Sequence, residues 1–196
     1  MILDPSFYRR NNVAAIARDL LGKYLYTKIN GKVTGGLIVE TEAYSQKERG
    51  CHAYLNRMTS RNEVMFREGG LAYVYLCYGI HHLFNVVTND EGIADAVLIR
   101  ALEPVEGLPC MMKRMHASSE ERITSGPGKL TKALGIDRSF NGNFLWSKHL
   151  WLENAAIKVR TSEIVASTRI GIAYAGEDAL LPWRFTLKGN TWVSKL

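Results

Sequence analysis

Two glutamates at alternate positions, Glu40 and Glu42, have the residue type and spacing best suited to catalysis in this sequence. They lie in a β-prone run from Leu37 to Tyr44, in which successive side chains point to opposite faces. Both carboxylates would share one face with Ile38 and Tyr44, roughly 6.6 Å apart along the strand. That separation is near the range in which one carboxylate activates a water for glycoside hydrolysis. A solvent-facing or edge strand with ordinary surface glutamates explains the same pattern, and the pattern alone favours this second explanation.

Three tyrosines, Tyr73, Tyr75 and Tyr78, fall within six residues and form a second candidate feature. Aromatic side chains beside a basic surface can stack on bases that have left the helix, at roughly 1–3 kcal/mol per base. Tyrosine is also a good strand former, so two of the three could be core residues. Tyr78 precedes Gly79 at the expected tip of a hairpin, where an exposed aromatic side chain is a candidate wedge between bases.

Metal-binding and nucleophilic patterns find little support. Adjacent residues rarely ligate one zinc ion, so the pairs Cys51-His52 and His81-His82 do not predict a metal site. The glycine-rich stretch 125–129 lacks the spacing of a P-loop. A turn of this kind could hold one backbone phosphate, or it could simply begin a helix. No Ser-His-Asp order with a nucleophile elbow is present.

The composition predicts one globular domain, over 1–196, with a basic surface. The 196 residues are 46% hydrophobic and 22% charged, and their net charge is +6. This balance suggests an anionic partner, with nucleic acid first and a membrane surface second. Lysine and arginine are spread over both halves of the chain, so any basic patch must be assembled by folding. A chain of this length buries enough surface to fold without a metal or a disulfide.

We expect a soluble protein of a reducing compartment, such as the cytoplasm. The three cysteines have no paired spacing, which argues against a disulfide framework. The N-terminus shows no cationic and apolar segments of a signal peptide. The longest stretch without Asp, Glu, Lys or Arg, from Gly69 to Asn89, contains polar residues and glycine, and it reads as a strand pair rather than a membrane span.

The elements that must position these side chains are mostly strands. The apolar spacing predicts a helix over 12–25 with Asn12 as its cap, and Asn30-Gly31 predicts a tight turn between two strands. A second hairpin and a short helix between Gly126 and Gly135 are also expected. The expected strands are 24–29, 33–44, 71–77, 83–88, 96–101, 157–159, 169–173, 185–187 and 192–193. We therefore predict an α+β fold: a single compact domain with a curved, mainly antiparallel sheet, flanking helices and a protruding β-hairpin.

A series of ordered motifs is similar to the alkyladenine (3-methyladenine) DNA glycosylase family. The run 37–44, Leu-Ile-Val-Glu-Thr-Glu-Ala-Tyr, resembles the signature strand of that family. Further matching blocks follow in the same order at 59–66, 73–87, 97–104, 125–130 and 169–194, so the resemblance covers nearly the whole chain. It implies a monofunctional base-excision repair enzyme that acts on double-stranded DNA containing alkylated or deaminated purines. The implied substrate class includes 3-methyladenine, 7-methylguanine, hypoxanthine and ethenoadenine.

The resemblance also implies a catalytic centre that uses no metal, no cofactor and no Schiff base. Glu42 resembles the general base that activates the attacking water. Arg100, with the backbone carbonyl of Ile170, resembles the groups that orient this water. Glu40 has no role in the family, so we expect it to be a structural or surface carboxylate.

Further residues resemble the family's base pocket and DNA-binding surface. The implied pocket walls for the extruded base are Tyr44, His52 and Tyr75. Asn85 resembles a gate that hinders guanine through its exocyclic amine, and we expect Leu98 to line the same pocket. Tyr78 resembles the tip residue that enters the minor groove. The residues expected to contact the DNA backbone are Arg61, Gly128 and Lys129.

Two other functions stay open on the residues alone. A nucleic-acid-binding module without activity could use the same basic, aromatic hairpin, but Glu42 would then only repel phosphate. A carbohydrate hydrolase would explain Glu40 and Glu42, but not the basic pI or a tyrosine at a hairpin tip. No membrane and no obligate protein partner is predicted.

Overall fold

The structure, a computed structural model, describes residues 1–155 and 158–195. Within these ranges it contains three α-helices and one eight-stranded sheet. The helices are α1 (Val13–Leu20), α2 (Leu108–Met115) and α3 (Pro127–Leu134). The strands are β1 (Tyr24–Ile29), β2 (Lys32–Tyr44), β3 (Ala72–Cys77), β4 (His81–Thr88), β5 (Asp95–Glu106), β6 (Leu150–Glu153), β7 (Ile164–Ser167) and β8 (Arg184–Leu187).

The sheet confirms the predicted α+β class with antiparallel pairing. Its strand order is β3-β4-β5-β2-β1-β6, with β8 beside one end of β2 and β7 beside β8. Each of these strand pairs is antiparallel. The turn between β1 and β2 forms at Asn30-Gly31 as predicted, with φ values of 50° and 76° that suit the twist of a two-residue hairpin loop.

Two hydrophobic clusters flank the sheet. The larger one contains the buried faces of all three helices and of the central strands. The smaller one joins the loop after β2 to β3, β4 and β5, and Tyr44 and Tyr75 pack against it. The smaller cluster therefore holds the loop after β2 against the sheet, next to these two tyrosines.

Helix α1 begins as predicted but ends earlier. The side-chain oxygen of Asn12 accepts the N–H of Ala15 at 2.9 Å, which is the expected N-terminal cap. The helix stops at Leu20 rather than at 25, because Gly22 adopts a φ of 77° and the chain then pairs as β1 from Tyr24. The buried stripe of this helix packs into the main core.

Strand β2 contains a bulge beside the two glutamates. The register with β5 shifts between Ile38 and Glu40 and again between Glu40 and Thr41. An extra residue in one strand of a pair breaks the alternation of faces. Ile38 therefore belongs to the main core together with Ala43, and the expectation that Ile38 shares a face with Glu40 and Glu42 is wrong.

Several of the expected C-terminal strands do not form. In the expected strand 169–173, residues 169–172 lie outside any strand and Ala173 begins a 3₁₀ helix, and Trp192-Val193 lies in a turn. Residues 158 and 159 also lie outside any strand, while Ile157 lies outside the described residues. Backbone groups of two of these segments bind side chains instead of a sheet ladder, since Ile170 donates its N–H to Glu42 and Trp192 donates its N–H to Oδ1 of Asn190. The strand at 185–187 is confirmed as β8, while α2, β6 and β7 were not predicted.

Candidate active site

A row of side chains crosses four neighbouring strands. Tyr73 on β3 lies opposite Asn85 on β4, Asn85 lies opposite Leu98 on β5, and Leu98 lies opposite Glu42 on β2. Directly paired residues of an antiparallel sheet point to the same face. The register thus brings the expected base, gate and pocket residues onto one surface.

A cavity of about 690 Å³ opens at this surface. Its size is within the range of small-molecule sites in proteins. Of the residues predicted for the site, ten line it: Tyr44, His52, Arg61, Tyr75, Tyr78, Asn85, Leu98, Arg100, Gly128 and Lys129. Other lining residues had no site role assigned from the sequence, among them Tyr73, Ser125, Ile172 and Tyr174.

Glu42 lies behind the cavity floor and is fully buried. Its Oε1 accepts the N–H of Ile170 at 2.8 Å, and its Oε2 accepts the hydroxyl of Tyr44 at 2.7 Å and Nη1 of Arg100 at 3.3 Å. A carboxylate offers about four acceptor positions, so this arrangement leaves about one for a water. Each of the three donors belongs to a residue that lines the cavity.

Glu40 is also fully buried, which corrects the expectation of a surface or edge-strand carboxylate. At Glu40, strand β2 lies between β5 and β8 rather than at an edge of the sheet, and the side chain packs against charged and polar partners. Oε1 of Glu40 accepts Nε of Arg100 and Nε of Arg184, each at 2.8 Å. Ser194 adds its N–H at 2.7 Å and its hydroxyl at 2.8 Å.

The surroundings of Glu40 decide its charge. Burial acts to raise the pKa of Glu40, but Arg100, the N–H of Ser194 and Arg184 together outweigh it and lower that pKa. Burial likewise acts to lower the pKa of Arg100, and its neighbours Glu42 and Glu40 raise it instead. Glu40 and Arg100 therefore carry their charges at neutral pH.

Aromatic rings form the cavity walls. The ring of His52 lies 4.6 Å from that of Tyr75 in an edge-to-face arrangement, and its Nδ1 lies 2.9 Å from the hydroxyl of Tyr73. The guanidinium of Arg61 covers the ring of Tyr75 with Cζ 4.9 Å from the centroid. Burial first, and then its Glu42 partner, raises the pKa of Tyr44, so the hydroxyl stays protonated as a donor.

His52 is neutral at physiological pH. It keeps accessible surface on the cavity side, but the atoms packed around the ring disfavour its charged form. This desolvation, followed by the charge of Arg61, lowers the pKa of His52 to about 4. A neutral imidazole can stack on a ring and offers one donor and one acceptor nitrogen.

Asn85 is held in place by the hairpin itself. Its Nδ2 donates a hydrogen bond to the carbonyl of Tyr73 at 3.1 Å, across the β3–β4 pair. The side chain is buried apart from its contribution to the cavity wall. The amide therefore presents a fixed surface to any ring that enters.

The β3–β4 hairpin ends in a three-residue tip at the cavity rim. Tyr78 is 90% exposed and has a φ of 50°, and Gly79 follows with a φ of 70°. The N–H of Ile80 closes the turn on the carbonyl of Cys77 at 3.1 Å. The left-handed backbone at Tyr78 and Gly79 turns the chain tightly and leaves the Tyr78 ring in solvent.

The loop before α3 forms the opposite rim. Ser125 is buried, and its Oγ has no hydrogen-bond partner among the described residues. Gly126 donates its N–H to the carbonyl of Arg100 at 3.1 Å, and α3 begins at the next residue. A side chain at Gly128 would place Cβ 2.8 Å from the ring of His81. The free N–H groups, the Oγ and the exposed Lys129 form a corner of the rim, residues 125–129, whose donors suit an anion.

Cys51 is the buried thiol of the cavity wall. Its Sγ lies 3.7 Å from the carbonyl of Ala94 and donates a weak hydrogen bond to it. Burial raises the pKa of Cys51 to about 12. Across 1–155 and 158–195, no cluster of three or more His, Cys, Asp or Glu residues is arranged to bind a metal ion. In the same ranges, none of the helices is both long and apolar enough to span a membrane.

The cavity suits a flat ring attached to a phosphate chain, since aromatic walls lie between a floor with a buried carboxylate behind it and a rim rich in hydrogen-bond donors. Such a cavity is typical of enzymes that take a base out of nucleic acid before acting on it. Comparison with known proteins gives the family. A sequence profile described as Methylpurine-DNA glycosylase (MPG) matches residues 6–191. The chain belongs to this family of base-excision repair enzymes, which are DNA glycosylases and hydrolyse N-glycosyl bonds.

Curated relatives agree with this assignment over their full length. A protein of Carboxydothermus hydrogenoformans is 49% identical over 195 residues, covering 100% of both chains. One of Natranaerobius thermophilus is 42% identical with 99% of each chain covered, and one of Chlorobium luteolum is 47% identical with 92% of this chain and 91% of its own. Each carries the name "Putative 3-methyladenine DNA glycosylase".

Proposed function

We propose that this DNA glycosylase is monofunctional, that it extrudes alkylated or deaminated purines from duplex DNA, and that Glu42 activates the water that releases them. The observation that carries the proposal is the buried Glu42 carboxylate, which has three fixed donors and one acceptor position left. Those donors restrict the carboxylate to one orientation. A water bound at the remaining position has a single direction of approach.

The proposed reaction is a displacement at the sugar carbon C1′. The bond from C1′ to the purine nitrogen breaks, and the purine leaves with the electron pair. The water oxygen forms the new bond to C1′, and Glu42 accepts its proton. The sugar becomes positively charged before the water bond is complete, and the nearby carboxylate stabilises that charge. Arg100 donates to Glu42 and lies on the cavity floor, where it can orient the water together with the carbonyl of Ile170.

The proposed base pocket accepts damaged purines by stacking between Tyr44, His52 and Tyr75. Stacking is tolerant of ring substituents, so it accepts several lesions but rejects few purines. Exclusion of guanine needs a group that opposes its exocyclic amine. Asn85 supports that role because its bond to the carbonyl of Tyr73 prevents it from moving aside.

DNA binding in this proposal uses both rims of the cavity. Tyr78 fills the space that the extruded nucleotide leaves, since its ring is exposed at the hairpin tip. The corner of the rim at residues 125–129 takes a phosphate beside the extruded nucleotide. Arg61 is exposed, yet it covers Tyr75 and donates to the carbonyl of Leu76 at 3.2 Å, so a phosphate contact would require it to turn outward.

Monofunctionality is supported by the amines near the cavity. A lyase step needs an amine that attacks C1′ and forms a Schiff base. Lys129 is the only lysine among the described residues that line the cavity. It is exposed on the rim at the start of α3, whereas Arg100 on the floor and Glu42 behind it are buried.

A single experiment tests the reaction and its type. A duplex oligonucleotide with one hypoxanthine, end-labelled, is incubated with the protein and analysed with and without hot alkali, while the free base is measured separately. We expect hypoxanthine release, with strand cleavage only after alkali. Cleavage without alkali would show a lyase step. Binding without base release, repeated with 3-methyladenine, 7-methylguanine and ethenoadenine, would instead indicate a binding module.

A further inference from the structure

Four buried charges meet beneath the cavity floor. Two carboxylates and two guanidiniums are connected by bonds of 2.8 to 3.3 Å, and their formal charges sum to zero; they belong to Glu40, Glu42, Arg100 and Arg184. Buried charges are costly unless each is paired and hydrogen-bonded. Glu40 is the central member, because it contacts both arginines through the same oxygen, Oε1.

Arg100 is held from both sides. Its Nε donates to Glu40 at 2.8 Å, and its Nη1 donates to Glu42 at 3.3 Å. A guanidinium is planar, so fixing Nε fixes the plane in which both terminal nitrogens lie. The shorter bond goes to Glu40, which lies behind the floor, and the longer one goes to Glu42, which the reaction uses. Glu40 therefore determines where the cavity-facing nitrogens of Arg100 lie.

The C-terminal segment, residues 190–195, closes the rear of this cluster. Ser194 donates both its N–H and its hydroxyl to Glu40, and its carbonyl accepts Nη2 of Arg184 at 3.4 Å. The segment is also held by Arg122, which donates to the carbonyl of Val193 at 3.1 Å. These contacts exclude water from the rear of Glu40, and they restrict its carboxylate to one position.

We propose that Glu40 is a positioning residue for base release: it fixes the guanidinium of Arg100 against Glu42, and Ser194 fixes Glu40. The inference rests on the proposed function, because it assigns Glu40 to the reaction that Glu42 and Arg100 carry out. Glu40 does not touch the substrate. Its loss therefore lowers the rate of the chemical step and leaves the DNA-binding rims intact.

The test separates rate from affinity in full-length variants. For Glu40→Gln, single-turnover release of hypoxanthine at saturating enzyme gives the rate. Binding to a duplex with an uncleavable abasic-site analogue gives the Kd. We expect the rate to fall by about 100-fold, as misplacement of a catalytic group by about 1 Å can cause, with Kd close to that of the wild type.

Glu103→Gln is the matched control. Glu103 lies on the same strand as Arg100 and anchors the same C-terminal segment through Asn190 at 2.7 Å, but it contacts neither Arg100 nor Glu42. Glutamine keeps an acceptor oxygen for Asn190, so the change removes a carboxylate without loosening the segment or altering the charge cluster. We expect its rate per folded molecule to match that of the wild type.

Ser194→Ala covers the case in which Glu40→Gln fails to fold. It removes one hydrogen bond from a neutral donor to Glu40 and keeps all four charges. We expect a smaller loss of rate, again without a change in Kd. Equal rates for Ser194→Ala and Glu103→Gln would then overturn the proposal.

The remaining outcomes are also decisive. A rate for folded Glu40→Gln equal to that for Glu103→Gln, or losses of rate and affinity in equal proportion, would make Glu40 purely structural. Absence of base release by the wild type from any of the lesions would instead contradict the proposed function. The two failures are therefore distinguishable.

Discussion

The guanidinium of Arg169 lies over the ring of Tyr44, with Cζ 4.8 Å from the ring centroid. A cation at this distance from an aromatic face attracts the ring and fixes its plane. Arg169 is itself held by Glu48, through two bonds of 2.7 and 2.9 Å, and it donates to the carbonyl of Ala43 at 2.9 Å. The buried ion pair of Arg169 and Glu48 thus supports one wall of the cavity. Arg169 also immediately precedes Ile170, whose N–H donates to Glu42.

Glu48→Gln is expected to destabilise the protein strongly. Loss of one partner leaves the fully buried Arg169 charge unpaired, which costs about 3–5 kcal/mol in comparable buried pairs. The free energy of unfolding from urea titration measures this cost. Glu163→Gln is the control, because Glu163 forms an exposed pair with Arg160, and we expect no measurable change. Similar stabilities for the two variants would show that the Glu48 pair contributes little.

Glu42→Gln is expected to abolish base release while lesion DNA still binds, equally or more tightly. The amide keeps the shape of the carboxylate but cannot take a proton from water, and it removes a negative charge near phosphates. General-base catalysis is worth about 100- to 10,000-fold, so the single-turnover rate should fall at least by about 100-fold. A rate within about tenfold of the wild type would contradict the assignment of Glu42 as the base.

Tyr78→Ala is expected to weaken binding to lesion-containing duplex more than binding to undamaged duplex. The wedge acts only after a nucleotide has left the stack, so undamaged DNA gains little from it. Ile80→Ala is the matched control, since Ile80 is 73% exposed on the same hairpin tip. Titration of both duplexes with each variant gives the ratio of Kd values. An equal loss on both duplexes would make Tyr78 a general DNA contact.

Asn85→Ala and Asn85→Ser are expected to raise excision of guanine, above all from mispairs, relative to excision of hypoxanthine. Each shorter side chain removes the fixed surface that opposes the exocyclic amine, the group that hypoxanthine lacks. The ratio of the two single-turnover rates in matched duplexes measures the change. If that ratio stays at its wild-type value, the gate lies elsewhere, and Leu98 on the neighbouring strand is the next residue to replace.

His52→Gln is expected to make stability less sensitive to acid. The pKa of His52 is about 4 in the folded protein and about 6.5 when unfolded, so between these values the unfolded chain binds more protons. The contribution of neutral His52 to the free energy of unfolding is therefore fully present above about pH 6.5, and it is lost as the pH falls toward 4. Melting temperatures at pH 7 and pH 5 should differ less in the variant than in the wild type. An identical difference would mean that His52 is not desolvated.

The sequence predicted the fold best where local chemistry decides it. The Asn12 cap, the turn at Asn30-Gly31 and the end of α3 at Gly135 form as expected. The resemblance in the motifs also identified the family. Segments such as 169–172 look like strands because they are apolar, but their backbone groups bind a buried carboxylate, and no local pattern reveals that.

Long-range partners explain the remaining differences at the site. Arg184 and Ser194 lie far from Glu40 in sequence, so spacing alone could not show that they enclose it. The bulge in β2 is equally hidden, because it depends on the register with β5. Ser125 is recognisable only in three dimensions, by a buried hydroxyl without a partner among the residues described.

The protonated thiol of Cys51 has a chemical consequence for a protein whose relatives are named after a methylated base. Reagents that methylate purines also attack sulfur, but they react with the thiolate rather than with the thiol. Because burial keeps Cys51 protonated far above neutral pH, the cavity wall presents a poor nucleophile to such reagents. Cys51 is therefore slow to acquire a methyl group from the electrophiles that damage DNA.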